Sequence, residues 1–210
     1  MIALPRLYAI LDIDVTTAKG LQPTPIVDAW LDAGVGIVQL RGKHLTGGPL
    51  FDLAVRIGAR CRTAGATFIV NDRADVARLA EADGVHVGQT DLTPPDARRV
   101  VGDGAVVGVS THNDAQVREA VEWPVDYVAI GPVFATSSKH RPDPVVGLEG
   151  VRRARVIADE RGLPLVAIGG ITVESAPDVI GAGATAVALI SDLLLGDPRD
   201  RARQYLDALR

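Results

Sequence analysis

The chain has 210 residues, of which 47% are hydrophobic and 23% charged, and its formal net charge is −4. This composition excludes a disordered chain and gives no reason to expect nucleic acid or an anionic membrane as a partner. No apolar run approaches the roughly 18 residues of a membrane helix. With one cysteine, Cys61, the chain forms neither an internal disulfide nor a thiolate zinc site.

Short apolar runs rich in Val and Ile recur along the chain and predict buried parallel strands. In chain order they are LYAILD (7–12), GIVQLR (36–41), TFIVND (67–72), GVHVG (84–88), AVVGVS (105–110), YVAIGP (127–132), LVAIGG (165–170) and AVALIS (186–191). Stretches with helical spacing lie between them, for example 50–65 and 75–83, and 197–209 predicts a closing helix. Eight such units favour an α/β fold, a closed (β/α)8 TIM barrel in one domain over residues 1–210. An open doubly wound sheet is the alternative, but no glycine-rich fingerprint follows the first strand.

Start and stop signals agree with this division into strands and helices. The segment Thr93-Pro94-Pro95-Asp96 is typical of a helix N-terminus. Glycines stand where a helix ends or a strand begins and often adopt a positive φ, namely Gly34, Gly65, Gly84 and Gly183. The N-terminal segment MIALPRLYAILD lacks the features of a signal peptide, so we expect a cytoplasmic, soluble protein.

Strand 2 carries charges where a buried strand should be apolar. Gln39, Arg41 and Lys43 share one face of this strand, whereas Val38 and Leu40 share the other. Burying two unpaired cations is costly. The pattern therefore predicts an anion at this strand end.

Further polar residues and glycines follow the other strands, at the end where barrel enzymes build their active sites. They are Asn71 and Asp72 after strand 3, Gln89 and Asp91 after strand 4, Ser110 at strand 5, the segment 131–139 after strand 6, Gly169 and Gly170 after strand 7, and Ile190 and Ser191 at strand 8. Their convergence on one rim indicates a site.

Each feature also has a purely structural interpretation. Asn71 or Asp72 would cap the following helix, Asp91 would begin a turn, and Ser110 and Ser191 would cap helices. An internal salt-bridge network with Asp72 and Asp91 would neutralise the cations of strand 2. His86 is expected to be a hydrogen-bonded residue of the barrel interior, and the loop residues His112 and His140 are expected to be solvated.

The chemistry of the cluster suits a diphosphate. Asp72 and Asp91 are the kind of carboxylate pair that holds Mg²⁺ together with phosphate oxygens, and Arg41 and Lys43 are suited to bind the same phosphates. A metal ion and cations around a diphosphate stabilise it as a leaving group.

A second anion site is expected across the rim, where this fold often binds a phosphate monoester through backbone N–H groups. The segments Gly169-Gly170-Ile171 and Ile190-Ser191, after strands 7 and 8, would supply the N–H groups, and residues 136–139 offer three hydroxyls and a further cation. The segment SSKHRPDPVVG (137–147) is either a lid or a variable surface loop.

The sequence resembles the thiamine phosphate synthase family over almost its whole length. The resemblance is carried by VQLRGK, FIVND, DGVHVGQTDL, VGVSTHN, DYVAIGPVFATSSK, PLVAIGGIT and GATAVALIS. The ordered set Gln-x-Arg-x-Lys, Asn-Asp and His-x-Gly-Gln-x-Asp is its most specific part. Two departures are Ser138, where threonine is more frequent, and Gly42, where an acidic or polar residue is common.

The resemblance implies a transferase that joins a pyrimidine carrying a methyl diphosphate to a thiazole bearing an ethyl phosphate or its carboxylated form. It implies a dissociative displacement, with Mg²⁺ held by Asp72 and Asp91. The residues implied to bind the pyrimidine diphosphate are Gln39, Arg41, Lys43, Asn71, Ser110 and Lys139, of which Arg41, Lys43, Ser110 and Lys139 would be catalytic. Those implied to bind the thiazole phosphate are Thr136, Ser138, Gly170, Ile190 and Ser191.

Three rival functions remain open at this point, and for one of them, another phosphate-binding barrel isomerase, fold-level analogy is the only argument. A thiazole tautomerase on the same fold would need no diphosphate site, and His112 as an acid/base residue favours it. A non-catalytic protein that binds thiamine precursors has no positive support in the sequence. In each case the partners are small molecules, and the sequence leaves homo-oligomer formation open.

Overall fold

The computed structural model describes residues 4–136 and 143–210, in which parallel strands form a closed barrel. Each strand pairs with the next along the chain, and β8 pairs with β1. The strands are β1 Leu7–Asp12, β2 Ile37–Arg41, β3 Thr67–Asn71, β4 Gly84–Val87, β5 Val106–Thr111, β6 Tyr127–Ile130, β7 Leu165–Ile168 and β8 Ala186–Leu189. The predicted (β/α)8 barrel is confirmed, and the open-sheet alternative is wrong.

Helices connect the strands and surround the barrel. They are α1 Ile13–Ala18, α2 Pro23–Ala33, α3 Gly47–Ala64, α4 Ala74–Leu79, α5 Pro94–Val101, α6 Asp114–Ala120, α7 Gly147–Asp159, α8 Ala176–Gly181 and α9 Pro198–Ala208. A 3₁₀ helix, Ser191–Leu194, precedes α9. In the described part of the chain, no helix is long and apolar enough to cross a membrane.

The alternation of side chains along each strand divides the core in two. Val38 and Leu40 pack outward with the helices, whereas Ile37 belongs to an inner cluster inside the barrel. The inner cluster also contains Tyr8 and Tyr127, which are both buried. Because the outward side chains pack against helices and the inner cluster fills the barrel, both faces of the strands are buried, which explains their continuous apolar runs.

Most of the predicted helix starts and glycine conformations are confirmed. Thr93 is the N-cap of α5 and accepts a hydrogen bond from the Asp96 N–H. Gly34, Gly65 and Gly183 have the expected positive φ, at 103°, 69° and 109°.

Gly84 differs from the other glycines because it begins β4 without a positive φ. Glycine is required there for space, since a Cβ would lie 2.1 Å from the carbonyl oxygen of Val106. The predicted element ends also shift: α4 stops at Leu79 rather than 83, and β8 stops at Leu189, so Ile190 and Ser191 lie just beyond the strand.

Candidate active site

A cavity of about 500 Å³ opens at the carboxyl ends of the strands. It is lined by every predicted site residue that the structure describes, namely Gln39, Arg41, Lys43, Asn71, Asp72, Asp91, Ser110, Thr136, Gly170, Ile190 and Ser191. Ser138, Lys139, His140 and most of the predicted lid lie outside the described residues. We call this cavity the mouth.

Arg41 at the end of β2 and Lys43 in the turn after it both line the mouth, although Lys43 was expected on the strand, and both have partners. Arg41 forms an ion pair with Asp12, whose carboxylate is 1% exposed, and Lys43 lies 2.9 Å from Asp72. The internal salt-bridge interpretation is therefore half right: Lys43 does pair with Asp72, but the carboxylate opposite Arg41 belongs to β1. Because an ion pair uses only some of the guanidinium and ammonium donors, N–H groups remain for a phosphate.

Asp72 and Asp91 form a carboxyl pair between the loops after β3 and β4. Burial and a hydrogen bond with Asp91 raise the pKa of Asp72, whereas Lys43 lowers it. Asp91 Oδ2 accepts a hydrogen bond of 2.8 Å from the Gly88 N–H, which orients this carboxylate toward its neighbour. A hydrogen bond between two carboxyl groups needs a shared proton, and a cation can replace that proton.

The backbone at Asp72 is unusual. Its φ is +64°, in the left-handed region that residues other than glycine seldom adopt. Neither Asn71 nor Asp72 caps α4, because Arg73 is the N-cap and makes no side-chain cap hydrogen bond. Such a conformation away from a capping role is typical of functional positions.

Ser110 and two histidines line the mouth at β4, at β5 and just after β5. His86 is buried and contacts the Tyr127 hydroxyl and Ser110 Oγ, which confirms the expectation of an interior histidine. His112 is not solvated as expected: its Nδ1 lies 2.6 Å from the Gly131 carbonyl and its Nε2 lies 3.4 Å from Asp143. Ser110 does not cap α6, whose N-cap is Asn113.

Two loops with exposed backbone form the remaining side of the mouth. Gly169 and Gly170 have φ of 102° and 66°, and a Cβ on Gly170 would lie 2.4 Å from the Ala135 carbonyl oxygen. Ile190 follows β8 and precedes the 3₁₀ helix that begins at Ser191, so Ser191 is not a side-chain cap. Only glycine fits the first loop, which leaves its backbone accessible to a ligand.

A buried tyrosine joins these two loops. The Tyr205 hydroxyl, on α9, donates to Asp192 Oδ2 at 2.5 Å and also contacts the Ile171 carbonyl at 3.3 Å. Arg201 donates to the same Asp192 oxygen through Nε and Nη2, at 3.0 and 2.6 Å. Helix α9 thus fixes the relative position of the loops after β7 and β8.

Comparison with known proteins identifies the family. The model of the thiamine monophosphate synthase family matches residues 7–193. The chain belongs to the thiamine monophosphate synthase family. The resemblance inferred from the strand-end motifs is therefore confirmed.

Individual members of the thiamine monophosphate synthase family are similar over nearly their full length. A thiamine-phosphate synthase of Koribacter versatilis is 46% identical over 98% of this chain and 96% of its own. One from Methanoculleus marisnigri is 43% identical over 93% of this chain and 92% of its own. The solved thiamine phosphate pyrophosphorylase of Pyrococcus furiosus superposes with a TM-score of 0.85 at 28% identity, covering 97% and 95% of the two chains.

Sequence reasoning missed three polar residues in this family member, namely Tyr8 and Tyr127, which line the mouth, and Asp12, which pairs with Arg41 behind it. Asp12 ends an apolar strand and looks like a helix N-cap, which it also is, since it accepts from the Val15 N–H. Tyr8 and Tyr127 look like ordinary core aromatics within their strands. The register of β1 and β2 places Asp12 opposite Arg41, and the sequence alone does not give that register.

The described residues fit a magnesium site of the type expected for the family. No group of three or more His, Cys, Asp or Glu side chains in the described ranges is arranged to hold a metal. Two carboxylates are present at one point, with the pKa of Asp72 raised partly by Asp91. Mg²⁺ is commonly bound by one or two carboxylates and completed by substrate phosphates and water.

Proposed function

We propose that this protein is a thiamine phosphate synthase. It would join 4-amino-2-methyl-5-(diphosphooxymethyl)pyrimidine to 4-methyl-5-(2-phosphooxyethyl)thiazole, or to its carboxylated form with loss of CO2. The products are thiamine phosphate and diphosphate. The observation that carries this proposal is that Arg41, Lys43 and the Asp72–Asp91 pair line one mouth, with Lys43 in contact with Asp72.

The side of the mouth that carries Arg41 and Lys43, the cationic wall, would hold the diphosphate. Arg41 is oriented by Asp12 and Lys43 by Asp72, so both cations are held in place before the substrate arrives. Gln39, Asn71 and Ser110 line the same cavity. Such preorganised donors stabilise developing negative charge without a cost of reorganisation.

Asp72 and Asp91 would hold Mg²⁺, which supplies charge neutralisation to the diphosphate when bound. The two carboxyls are already adjacent, and Lys43 contacts one of them. Lys43 therefore lies where it can contact both the carboxylate and a phosphate oxygen.

The opposite wall would hold the thiazole phosphate. Gly170, Ile190 and Ser191 would provide backbone N–H groups, with the Thr136 hydroxyl beside them in the mouth. Ser138 and Lys139, which lie outside the described residues, complete the proposed set. Binding both substrates in one cavity brings the thiazole nitrogen toward the carbon that carries the diphosphate.

The proposed reaction is a dissociative displacement. The C–O bond to the diphosphate breaks with its electron pair leaving on oxygen, and the pyrimidine stabilises the resulting cation. The thiazole nitrogen lone pair then forms the new C–N bond. No side chain has to act as a nucleophile, so positioning and charge stabilisation suffice.

One observation favours a thiazole tautomerase as a second candidate. His112 reaches the mouth, and its Nε2 faces Asp143. Its Nδ1, however, is engaged by the Gly131 carbonyl, and a tautomerase has no use for the cationic wall. The synthase is therefore the better supported function.

The partners proposed are these two small molecules, in a protein of the cytoplasm that has no nucleic-acid or membrane partner. The location rests on the sequence alone, and homo-oligomer formation stays open.

The test is a complete reaction mixture with purified protein, Mg²⁺ and both substrates. We expect thiamine phosphate and diphosphate to form in equal amounts, and neither to form when EDTA is present. Isomerisation of the thiazole phosphate without release of diphosphate would establish the tautomerase instead. Binding of both substrates with no turnover would favour the non-catalytic alternative.

A further inference from the structure

A chain of hydrogen-bonded side chains crosses the barrel interior and ends at the mouth. Gln39 Nε2 lies 2.9 Å from the Tyr8 hydroxyl, which lies 2.9 Å from the Tyr127 hydroxyl. The Tyr127 hydroxyl lies 2.9 Å from His86 Nδ1, and His86 Nε2 lies 2.8 Å from Ser110 Oγ. These side chains come from β1, β2, β4, β5 and β6, so the series of hydrogen bonds spans the barrel.

The packing around Tyr127 holds this chain in place. The His86 ring stacks on the Tyr127 ring, with centroids 5.5 Å apart and an interplanar angle of 23°. Gly108 faces the tyrosine ring, and a Cβ there would lie 2.1 Å from Tyr127 Cζ. Burial raises the pKa of both Tyr8 and Tyr127, so each hydroxyl keeps its proton at neutral pH.

The direction of the hydrogen bonds follows from the number of protons. The amide nitrogen of Gln39 only donates, so the Tyr8 oxygen accepts and its single proton goes to the Tyr127 oxygen. Tyr127 then donates to His86 Nδ1, which leaves the imidazole proton on Nε2 to be donated to Ser110.

The reverse direction is unfavourable. If Tyr127 donated to Tyr8, the Tyr8 proton would have no acceptor within residues 4–136 and 143–210, although this hydroxyl is fully buried. An unsatisfied buried donor costs about 1–3 kcal/mol.

We propose that Tyr8, Tyr127 and His86 are positioning residues that fix Ser110 as a hydrogen-bond donor to the substrate. Because Ser110 Oγ accepts from His86 Nε2, its own proton points to a partner in the mouth. Gln89 Nε2 holds the Ser110 backbone by donating to its carbonyl at 2.7 Å. The substrate atom that faces Ser110 is then an acceptor, a diphosphate oxygen or a ring nitrogen, and not the amino group. This inference rests on the proposed function of the mouth.

The first test reads the tautomer of His86 by NMR of ¹⁵N-labelled protein at about pH 8.5, where an ordinary imidazole is neutral. We expect the proton of His86 on Nε2 in the wild type. Tyr8→Phe should keep this tautomer, because Tyr127 still donates to Nδ1. Tyr127→Phe should move the proton toward Nδ1, because that nitrogen loses its donor. A wild-type His86 with its proton on Nδ1, or on both nitrogens, would overturn the proposal.

The second test is kinetic. We expect Tyr127→Phe to lower kcat/KM for the pyrimidine diphosphate about tenfold, with KM for the thiazole phosphate unchanged. In a Ser110→Ala background the same substitution should have little further effect, because the two residues act through one hydrogen bond. An equal loss in both backgrounds would contradict the positioning role.

The two tests separate this inference from the proposed function. The tautomer is measured without substrate, so the expected tautomer in a protein without synthase activity would reject the function while leaving the chain of hydrogen bonds intact. An active synthase with the wrong tautomer would reject the positioning role alone. If Tyr127→Phe does not fold, the His86 tautomer of the wild type still tests whether Ser110 accepts a hydrogen bond from His86.

Discussion

Asp12 and Arg41 are register partners on the neighbouring strands β1 and β2, and they form an ion pair at the mouth of the barrel. The Asp12 carboxylate is 1% exposed, and its other oxygen accepts from the Val15 N–H at the start of α1. One buried carboxylate therefore both caps a helix and orients the guanidinium that we expect to bind diphosphate. The Asp12 carboxylate thus holds the Arg41 guanidinium in position and also balances part of its positive charge.

We expect Asp12→Asn to lower kcat/KM for the pyrimidine diphosphate about tenfold and the free energy of unfolding by about 2 kcal/mol. The amide still accepts from Val15 but removes the charge that orients Arg41. Steady-state kinetics and urea unfolding measure the two effects. Asp14→Asn is the matched control. Asp14 lies in the first turn of α1, the helix that Asp12 caps, and forms an exposed pair with His44. Equal effects of the two substitutions would show that the Arg41 partner is unimportant.

We expect Asp72→Asn and Asp91→Asn each to raise the Mg²⁺ concentration needed for half-maximal activity by about tenfold or more. Asn tolerates the left-handed conformation of residue 72, so the first substitution removes charge without adding strain. Titration of activity with Mg²⁺ provides the measurement. Asp75→Asn, in an exposed pair with Arg73, should leave the requirement unchanged. An unaltered Mg²⁺ requirement in both test variants would remove these carboxylates from the metal site.

The raised pKa of Asp72 predicts a pH dependence of stability in the absence of Mg²⁺. Between the unfolded pKa of about 3.9 and the higher folded value, the folded protein binds more protons than the unfolded chain. The free energy of unfolding of the wild type should therefore fall relative to Asp72→Asn as the pH rises through this window. Added Mg²⁺ should oppose the fall. Urea unfolding at several pH values tests this, and a rise with pH would mean that Lys43 dominates over burial and Asp91.

We expect Tyr205→Phe to raise KM for the thiazole phosphate about fivefold, with KM for the pyrimidine diphosphate unchanged. The hydroxyl joins Asp192 to the Ile171 carbonyl, so its loss releases the loops after β7 and β8 from each other. Kinetics with each substrate varied in turn provide the measurement. Arg199→Gln on the same helix breaks only an exposed pair with Asp32 and serves as the control. A loss shared equally by both substrates would point to a general loss of structure.

We expect Gly170→Ala to abolish saturation by the thiazole phosphate, because a methyl group would lie 2.4 Å from the Ala135 carbonyl oxygen. The backbone of the loop after β7 then has to move. Gly196→Ala is a matched control, since Gly196 has a similar φ of +68° but no heavy atom within 4 Å of the added Cβ. Both variants should lose about 1–2 kcal/mol through the positive φ, and only Gly170→Ala should lose affinity. Normal saturation by Gly170→Ala would place the phosphate elsewhere.

The fold was predictable because each strand is a short Val- and Ile-rich run closed by a turn or helix signal. The rim was predictable for a related reason: in a closed parallel barrel every strand ends on the same side, so Gln39, Asp72 and Ser110 have to meet. The ends of the strands were predicted less accurately. Ile190 and Ser191 directly follow an apolar run, yet they lie beyond the end of β8.

The pairing of side chains inside the mouth could not be read from sequence. Arg41 was expected to find its counter-charge in Asp72 or Asp91, but the register of β1 and β2 places Asp12 closer. Tyr8 and Tyr127 carry no local signal of a polar role, because a core tyrosine and a network tyrosine have the same sequence pattern. Asp is among the residue types that tolerate a left-handed φ, but most aspartates do not adopt it, so the conformation of Asp72 was not predictable either.

The most direct test of whether the cationic wall receives the leaving group is the affinity for inorganic diphosphate. Titration calorimetry measures it with and without Mg²⁺. We expect diphosphate to bind the wild type in the presence of Mg²⁺, and its affinity to fall about tenfold or more in Lys43→Met and in Arg41→Met. Equal affinity in the wild type and both variants would contradict the assignment of this wall to the diphosphate.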